Sequence, residues 1–150
     1  MGTDQGQVRL QMLGLFQMVR TVGDKQLWRD LATDVATYLV AHYWDGPVPS
    51  DLTAHVGGGF FTQSDLVDDL TTRPKEIFDG ATPSAHAIAT RALARLALSD
   101  GSTVFLVIAQ RLVEIAGSLI VSHPSAVVDL VEAAGFAIDG VEVEIGRAHV

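Results

Sequence analysis

The densest group of chemically useful side chains lies between Arg73 and His86, in the sequence RPKEIFDGATPSAH. It contains two bases, two acids, two hydroxyls and an imidazole, and it leads into a predicted helix. The backbone N–H groups and the dipole of a helix N-terminus favour anionic or hydroxyl-rich ligands. In this interpretation Glu76 or Asp79 acts as a general acid or base, and His86 binds a ligand or moves a proton.

The same residues also have a purely structural interpretation. Arg73 and Lys75 can pair with Glu76 and Asp79 and so fix a loop in place. Hydroxyl side chains before Ala85 can cap the helix, with Thr82 as the expected N-cap and proline at the first helical position. The sequence leaves both interpretations open.

A second candidate site is the run Tyr43-Trp44-Asp45 together with the glycine-rich segment at 57–61. An aromatic ring beside a carboxylate suits stacking on a sugar ring and hydrogen bonding to its hydroxyls. The structural alternative is a helix end whose aromatic side chains pack under a glycine-rich turn.

Composition and spacing exclude several other kinds of chemistry. The chain has no cysteine, which excludes disulfides, thiolate catalysis and cysteine-ligated zinc. The histidines at 42, 55, 86 and 123 show no metal-binding spacing, and the glycine triplet lacks the lysine of a phosphate-binding loop. We therefore expect no metal site and no cofactor.

The charge balance indicates which partners to expect. A formal net charge of −8 argues against nucleic acid and against anionic membrane surfaces. The most apolar stretch, Thr103 to Val121, is interrupted by Gln110, Arg111 and Glu114, short of the roughly 20 apolar residues of a membrane span. We expect a cytoplasmic protein that binds neither nucleic acid nor membrane.

Apolar residues at three- and four-residue spacing predict an all-α fold of five helices, interrupted by a long Gly- and Pro-rich loop. Alternation after the last helix predicts a short strand. The predicted helices are Val8–Val22, Lys25–Tyr43, Thr82–Leu98, Thr103–Val121 and Ser125–Ala137, and the predicted strand is Val141–Ile145.

An internal repeat relates the two halves of the chain. When the sequence is shifted against itself so that Trp28 aligns with Phe105, the apolar positions of the neighbouring turns also align. The same shift superimposes two predicted helix–turn–helix units. Repeated helical hairpins are typical of an array or a closed toroid, in which each unit buries its apolar face on its neighbours. The further aligned pairs are Leu31 with Ile108, Ala32 with Ala109 and Val35 with Leu112.

Two motifs resemble a known family. Gly58-Gly-Phe-Phe61, followed by the run from Arg73 to Ser84, is similar to the pattern of thioredoxin domain-containing proteins related to the spermatogenesis-associated protein. The similarity extends over roughly Leu10 to Ile145. It implies an α/α toroid like those of the six-hairpin glycosidases and the N-acylglucosamine 2-epimerases.

The resemblance also implies a function and a set of site residues. Loops at the N-termini of inner helices line a central funnel in such toroids, and the fold is associated with carbohydrate processing by acid and base groups. The alternative is a non-catalytic helical scaffold, or a binding module, for a thioredoxin-like domain. The residues implied are Asp79, Glu76 and His86 as catalytic groups, and Arg73, Lys75, Ser84, Asp45 and Trp44 as substrate-binding groups.

The chain departs from the family pattern in three respects, one of which is a loop from Asp45 to Val56 that is longer than the family's short Gly-rich turn. Ser84-Ala85-His86 stands where the family has Ser-Gly-Asn. About two and a half hairpins are also too few to close a ring, so residues 1–145 are expected to be a fragment. The expected partners are then the missing thioredoxin-like domain, the remaining hairpins and a carbohydrate or other small polar ligand. Residues 146–150 match the translation of a common sequencing adapter, and we expect them to be an artefact.

Overall fold

The computed structural model describes residues 25–50, 57–67 and 72–139, and this part of the chain is helical, as predicted. The predicted helix at Val8–Val22 and the predicted strand at Val141–Ile145 lie outside the described residues. The four α-helices described are α1 (Lys25–Tyr43), α2 (Ala85–Asp100), α3 (Thr103–Ser122) and α4 (Val128–Asp139), with a 3-10 turn at Pro124–Ala126 before α4.

The N-cap of helix α2 is Ser84, two residues after the predicted Thr82. The Ser84 hydroxyl accepts a hydrogen bond from the Ala87 N–H at 3.2 Å and is fully buried. An N-cap side chain in this position satisfies one of the N–H groups that the first turn leaves without a partner. The helix ends at Gly101, whose φ of 74° is the left-handed conformation that glycine adopts without strain.

Helices α2 and α3 form an antiparallel hairpin across Gly101 and Ser102. Asp100 accepts the Ser102 N–H at 2.8 Å, and the Ser102 hydroxyl in turn accepts the Phe105 N–H at 3.4 Å, so the turn caps α3. Helix α4 packs against both members of the hairpin. The largest apolar side chains that these three helices bury completely are Leu93, Ile108, Leu112 and Leu130.

Helix α1 joins the same core through the C-terminal half of its length. Ala36, Leu39 and Tyr43 are buried there together with residues of α2 and α3. Nearer the N-terminus, Leu27 and Leu31 remain 51% and 41% exposed. The well-packed end of α1 is therefore the end that leads into the loop between α1 and α2.

The internal repeat is only partly reflected in burial. Ala32 and Ala109 occupy matching positions, and both are buried. Leu31 is 41% exposed, however, whereas Ile108 at the matching position is fully buried. Equivalent residues of α1 and α3 therefore have different surroundings, because among the described helices α3 packs against two and α1 mainly against one.

Helix α3 is the one described helix that is long and apolar enough to span a membrane by length and composition alone. Such a test is also met by core helices of soluble proteins. Phe105, Ile108 and Leu112 lie on a face of α3 that is buried in the core.

The contribution of this core can be measured with a matched pair of substitutions on α2. Leu93→Ala removes a fully buried side chain and should lower the free energy of unfolding by about 2–5 kcal/mol. Leu98→Ala alters a side chain that is 47% exposed on the same helix and should cost less than about 1 kcal/mol. Urea denaturation followed by circular dichroism measures both, and equal losses would contradict the packing described.

Candidate functional site

Three chain segments meet at the C-terminal end of α1, and we call this region the junction. Its segments are residues 43–46, the GGFF segment (residues 58–61) and the RPKE segment (residues 73–76). Isolated antiparallel bridges pair Trp44 with Phe60 and Phe61 with Lys75. The Phe61 N–H donates to the Tyr43 carbonyl at 2.8 Å. The two motifs that carry the family resemblance are therefore in direct backbone contact.

Close approach of the GGFF segment to the helices requires glycine at two positions. Gly58 and Gly59 have φ values of 124° and 90°, which side chains of L-residues rarely adopt. A Cβ on Gly58 would lie 2.6 Å from the Ile115 side chain of α3, and one on Gly59 would lie 3.0 Å from the His86 ring. The glycines thus allow the loop to lie directly on α2 and α3.

Lys75 and Asp45 form an ion pair across the junction. The Lys75 ammonium lies 2.5 Å from Asp45 Oδ2 and also donates to the Gly58 carbonyl at 2.7 Å. The side chains of Lys75 and Asp45 are 26% and 38% exposed, so the pair is accessible from solvent. The Lys75 ammonium also lies 5.0 Å from the centre of the Phe61 ring. Two predicted substrate-binding residues from distant parts of the sequence are thus brought together.

Arg73 has a different environment from Lys75. Its guanidinium lies 4.2 Å from the centre of the Phe61 ring, within cation–π distance. Its Nη2 donates to the carbonyls of His42 at 2.8 Å and Gln63 at 2.7 Å. Arg73 therefore binds the end of α1 to the loop, which agrees with a loop-fixing interpretation of this residue.

Asp79 joins the N-termini of two helices. Its Oδ1 accepts the Ser84 N–H at 2.8 Å, and its Oδ2 accepts the Asp129 N–H at 2.9 Å in the first turn of α4. A carboxylate is favoured at a helix N-terminus because it accepts from N–H groups that have no helical partner and complements the dipole. Both oxygens of this predicted catalytic group therefore bind the backbone, and Ser84 acts beside it as the N-cap.

His86 is 1% exposed and bridges the RPKE and GGFF segments. Its Nδ1 lies 2.6 Å from the Glu76 carbonyl, and its Nε2 lies 3.2 Å from the Phe60 amide nitrogen. A carbonyl only accepts and an amide N–H only donates, so these partners assign the hydrogen to Nδ1 and the lone pair to Nε2. Burial is the main cause that lowers the pKa of His86 below 6.5, which favours this neutral form.

Glu76 and Trp44 complete the set of predicted residues. Glu76 is half-buried, with its Oε2 shielded from solvent, and its charge acts on the His86 ring. Trp44 is 7% exposed and packs edge-on against Phe60, while its indole N–H donates to the Pro47 carbonyl at 3.2 Å. The indole is therefore part of the packing under the loop rather than an open stacking surface.

The structure gives specific roles to two residues of the segment at 57–61, which the sequence placed in the second candidate site without assigning them a role. The Phe61 ring lies within cation–π distance of both Arg73 and Lys75, and the Gly58 carbonyl is a ligand of the Lys75 ammonium. Phe61 was included in that candidate site, but its contact with two cationic side chains was not predicted. The role of a glycine carbonyl had no signal in the sequence, because it depends on how the loop folds back.

Within the described ranges, no group of three or more His, Asp or Glu side chains is placed to hold a metal ion. No family model, no curated protein and no solved structure matches this chain. The geometry of the junction is therefore the basis for inferring its chemistry.

The double capping role of Asp79 is tested by Asp79→Asn. An amide keeps one acceptor oxygen but replaces the other with a donor, so either the Ser84 or the Asp129 N–H loses its acceptor. The free energy of unfolding should fall by about 1.5–3 kcal/mol, as expected for a hydrogen bond to a charged group. Asp139→Asn, on an exposed side chain at the C-terminus of α4, is the matched control and should be close to neutral. A neutral Asp79→Asn would contradict the double cap.

Proposed function

We propose that this chain belongs to the α/α toroid of a thioredoxin domain-containing protein, and that the junction binds a neutral, hydroxyl-rich ligand such as a carbohydrate. The motif resemblance supports the family and the toroid. Support for the ligand comes from the position of those motifs, since the GGFF and RPKE segments form the junction together with the end of α1.

The Asp45–Lys75 ion pair is the observation that carries the ligand proposal. It presents a carboxylate acceptor and an ammonium donor at one partly exposed point. Adjacent hydroxyls of a sugar ring both donate and accept, so such a pair can bind two of them at once. The opposite charges of the two side chains cancel, which favours a neutral polyol over an anion or a cation. The Gly58 carbonyl and the Phe61 ring fix the ammonium in place.

In this proposal the predicted site residues divide into two groups. Asp45 and Lys75 contact the ligand, and Glu76, the acid or base assigned to the reaction, follows Lys75 directly in the sequence. Asp79, Ser84 and His86 are positioning residues, because their polar atoms bind the backbone of the loop and the helices. Arg73 contacts the Phe61 ring of the junction, and Trp44 packs against Phe60. Acid–base chemistry on a carbohydrate would then depend on Glu76 in the complete toroid.

A second candidate function is a non-catalytic scaffold for a thioredoxin-like domain. One specific observation favours it: two of the three predicted catalytic groups, Asp79 and His86, have their polar atoms in structural hydrogen bonds. A scaffold needs a rigid junction and no free acid or base. A thioredoxin-like domain encoded in the same reading frame, with a junction that binds no sugar, would favour this function.

The ligand proposal is tested by saturation-transfer NMR on the 150-residue chain with N-acetylglucosamine and with cellobiose. We expect saturation transfer to at least one of these sugars, and Lys75→Met should weaken its binding at least about tenfold, the equivalent of one charged hydrogen bond. Lys25→Met, on the exposed lysine at the start of α1, is the matched control and should leave binding unchanged.

Asp45→Asn and Asp34→Asn form a second matched pair, in which only the first alters the junction. Circular dichroism establishes that each variant is folded before binding is compared. Absence of saturation transfer to both sugars with folded wild-type chain would contradict the proposal. Equal binding by Lys75→Met and wild type would also contradict it.

A further inference from the structure

His86 is the one described side chain that binds both loop segments of the junction from a helix. It projects from the first turn of α2, donates to the Glu76 carbonyl at 2.6 Å and accepts the Phe60 N–H at 3.2 Å. The ring is 1% exposed, and the Gly59 backbone leaves it so little room that a Cβ there would be 3.0 Å from Nε2. Water has little room to replace either partner.

We propose that His86 is a proton-operated latch: a proton on Nε2 breaks the bond from the Phe60 N–H and releases the GGFF segment from α2. Protonation replaces the lone pair on Nε2 with an N–H, which then faces the Phe60 N–H as a second donor. Two donors at this distance repel each other. The Nδ1–H bond to the Glu76 carbonyl is retained, so the ring stays with the RPKE segment while the GGFF segment separates.

Release of Phe60 reaches the rest of the junction through bonds that the GGFF segment makes. Phe60 bridges to Trp44, and the carbonyl of Gly58 in the same segment accepts from the Lys75 ammonium. Movement of this segment therefore removes one of the groups that hold the Lys75 side chain against Asp45. The inference does not depend on the proposed ligand, because the latch concerns the loop itself.

The charged groups around the ring have opposing effects. Lys75 opposes a proton on His86, and Glu76 favours one. Of the other charged groups nearby, Asp45 is paired with Lys75, and Asp79 accepts from the backbone at Ser84 and Asp129. On α3, Arg111 is paired with Glu114 and donates to the Gly57 carbonyl.

Burial is the largest effect, and the net result is a His86 pKa below the ordinary value of 6.5. The unfolded or released state therefore takes up a proton more readily than the closed state. The stability of the closed latch is greatest above the ordinary histidine pKa of 6.5. Its stability falls as the pH drops from there to the lowered pKa of the closed state, and no further below that.

The test is hydrogen exchange of the Phe60 amide between pH 7.5 and pH 5.0, corrected for the intrinsic exchange rate. In the wild-type chain the open population at Phe60 should rise below pH 6.5, with a slope approaching tenfold per pH unit. His86→Gln keeps a donor and an acceptor on the side chain but does not titrate, so its open population should stay level. His123→Gln, on an exposed histidine, is the matched control and should behave as wild type.

A second measurement covers the case in which His86→Gln does not fold. Nitrogen-15 NMR of wild-type chain reports the protonation of each ring nitrogen directly. At pH 7.5 we expect the hydrogen on Nδ1 and none on Nε2, and protonation of Nε2 should coincide with loss of Phe60 protection. A hydrogen on Nε2 at pH 7.5, or Phe60 protection that does not change as Nε2 is protonated, would overturn the latch. So would an unchanged pH dependence in folded His86→Gln.

Discussion

The structure depends on how the loop between α1 and α2 satisfies its backbone polar groups. The described parts of this loop form only isolated bridges, so side chains must supply many of the missing partners. His86 supplies both an acceptor and a donor from inside the core. Asp79 supplies two acceptors to helix N-termini, and Arg73 supplies donors to carbonyls at the end of α1 and in the loop. Without these side chains, the loop could not lie against the helices without burying unpaired groups, at a cost of about 1–3 kcal/mol for each.

This constraint explains why residues typical of active sites gather in one place. A loop that is fixed by side chains requires carboxylates, guanidinium groups and imidazoles at closely spaced positions, and the same types carry acid–base chemistry. The two uses differ in how far the polar side-chain atoms are occupied by backbone partners or remain open to solvent. Asp79 has both carboxylate oxygens on backbone N–H groups, whereas the Asp45–Lys75 pair remains partly open to solvent. Asp45 and Lys75 are therefore more accessible to a ligand than Asp79 and His86 are.

The sequence was most informative where structure is local. Helical periodicity predicted α1 as it is observed and α3 to within one residue. It placed the N-cap of α2 two residues early, because Thr82 and Ser84 are both good caps and the choice depends on Asp79 binding the Ser84 N–H. The partner of Lys75 was also beyond sequence reasoning. Asp45 lies 30 positions away, and only the bridges through the GGFF segment bring it close.

The size of the side chain at position 86 can be understood in the same terms, by comparing histidine with asparagine. The imidazole spans from the Glu76 carbonyl to the Phe60 N–H because its two nitrogens lie on opposite sides of the ring. The side chain of asparagine is shorter, so its amide nitrogen and oxygen lie closer to the helix. An asparagine that bound the RPKE segment would leave the Phe60 N–H without its acceptor unless the GGFF segment moved toward α2. The Gly59 backbone already lies against the histidine ring, since an added Cβ there would be 3.0 Å from Nε2. The histidine and the glycine loop therefore fit each other in size, and this fit makes an imidazole whose pKa is lowered by burial part of the structure of the junction.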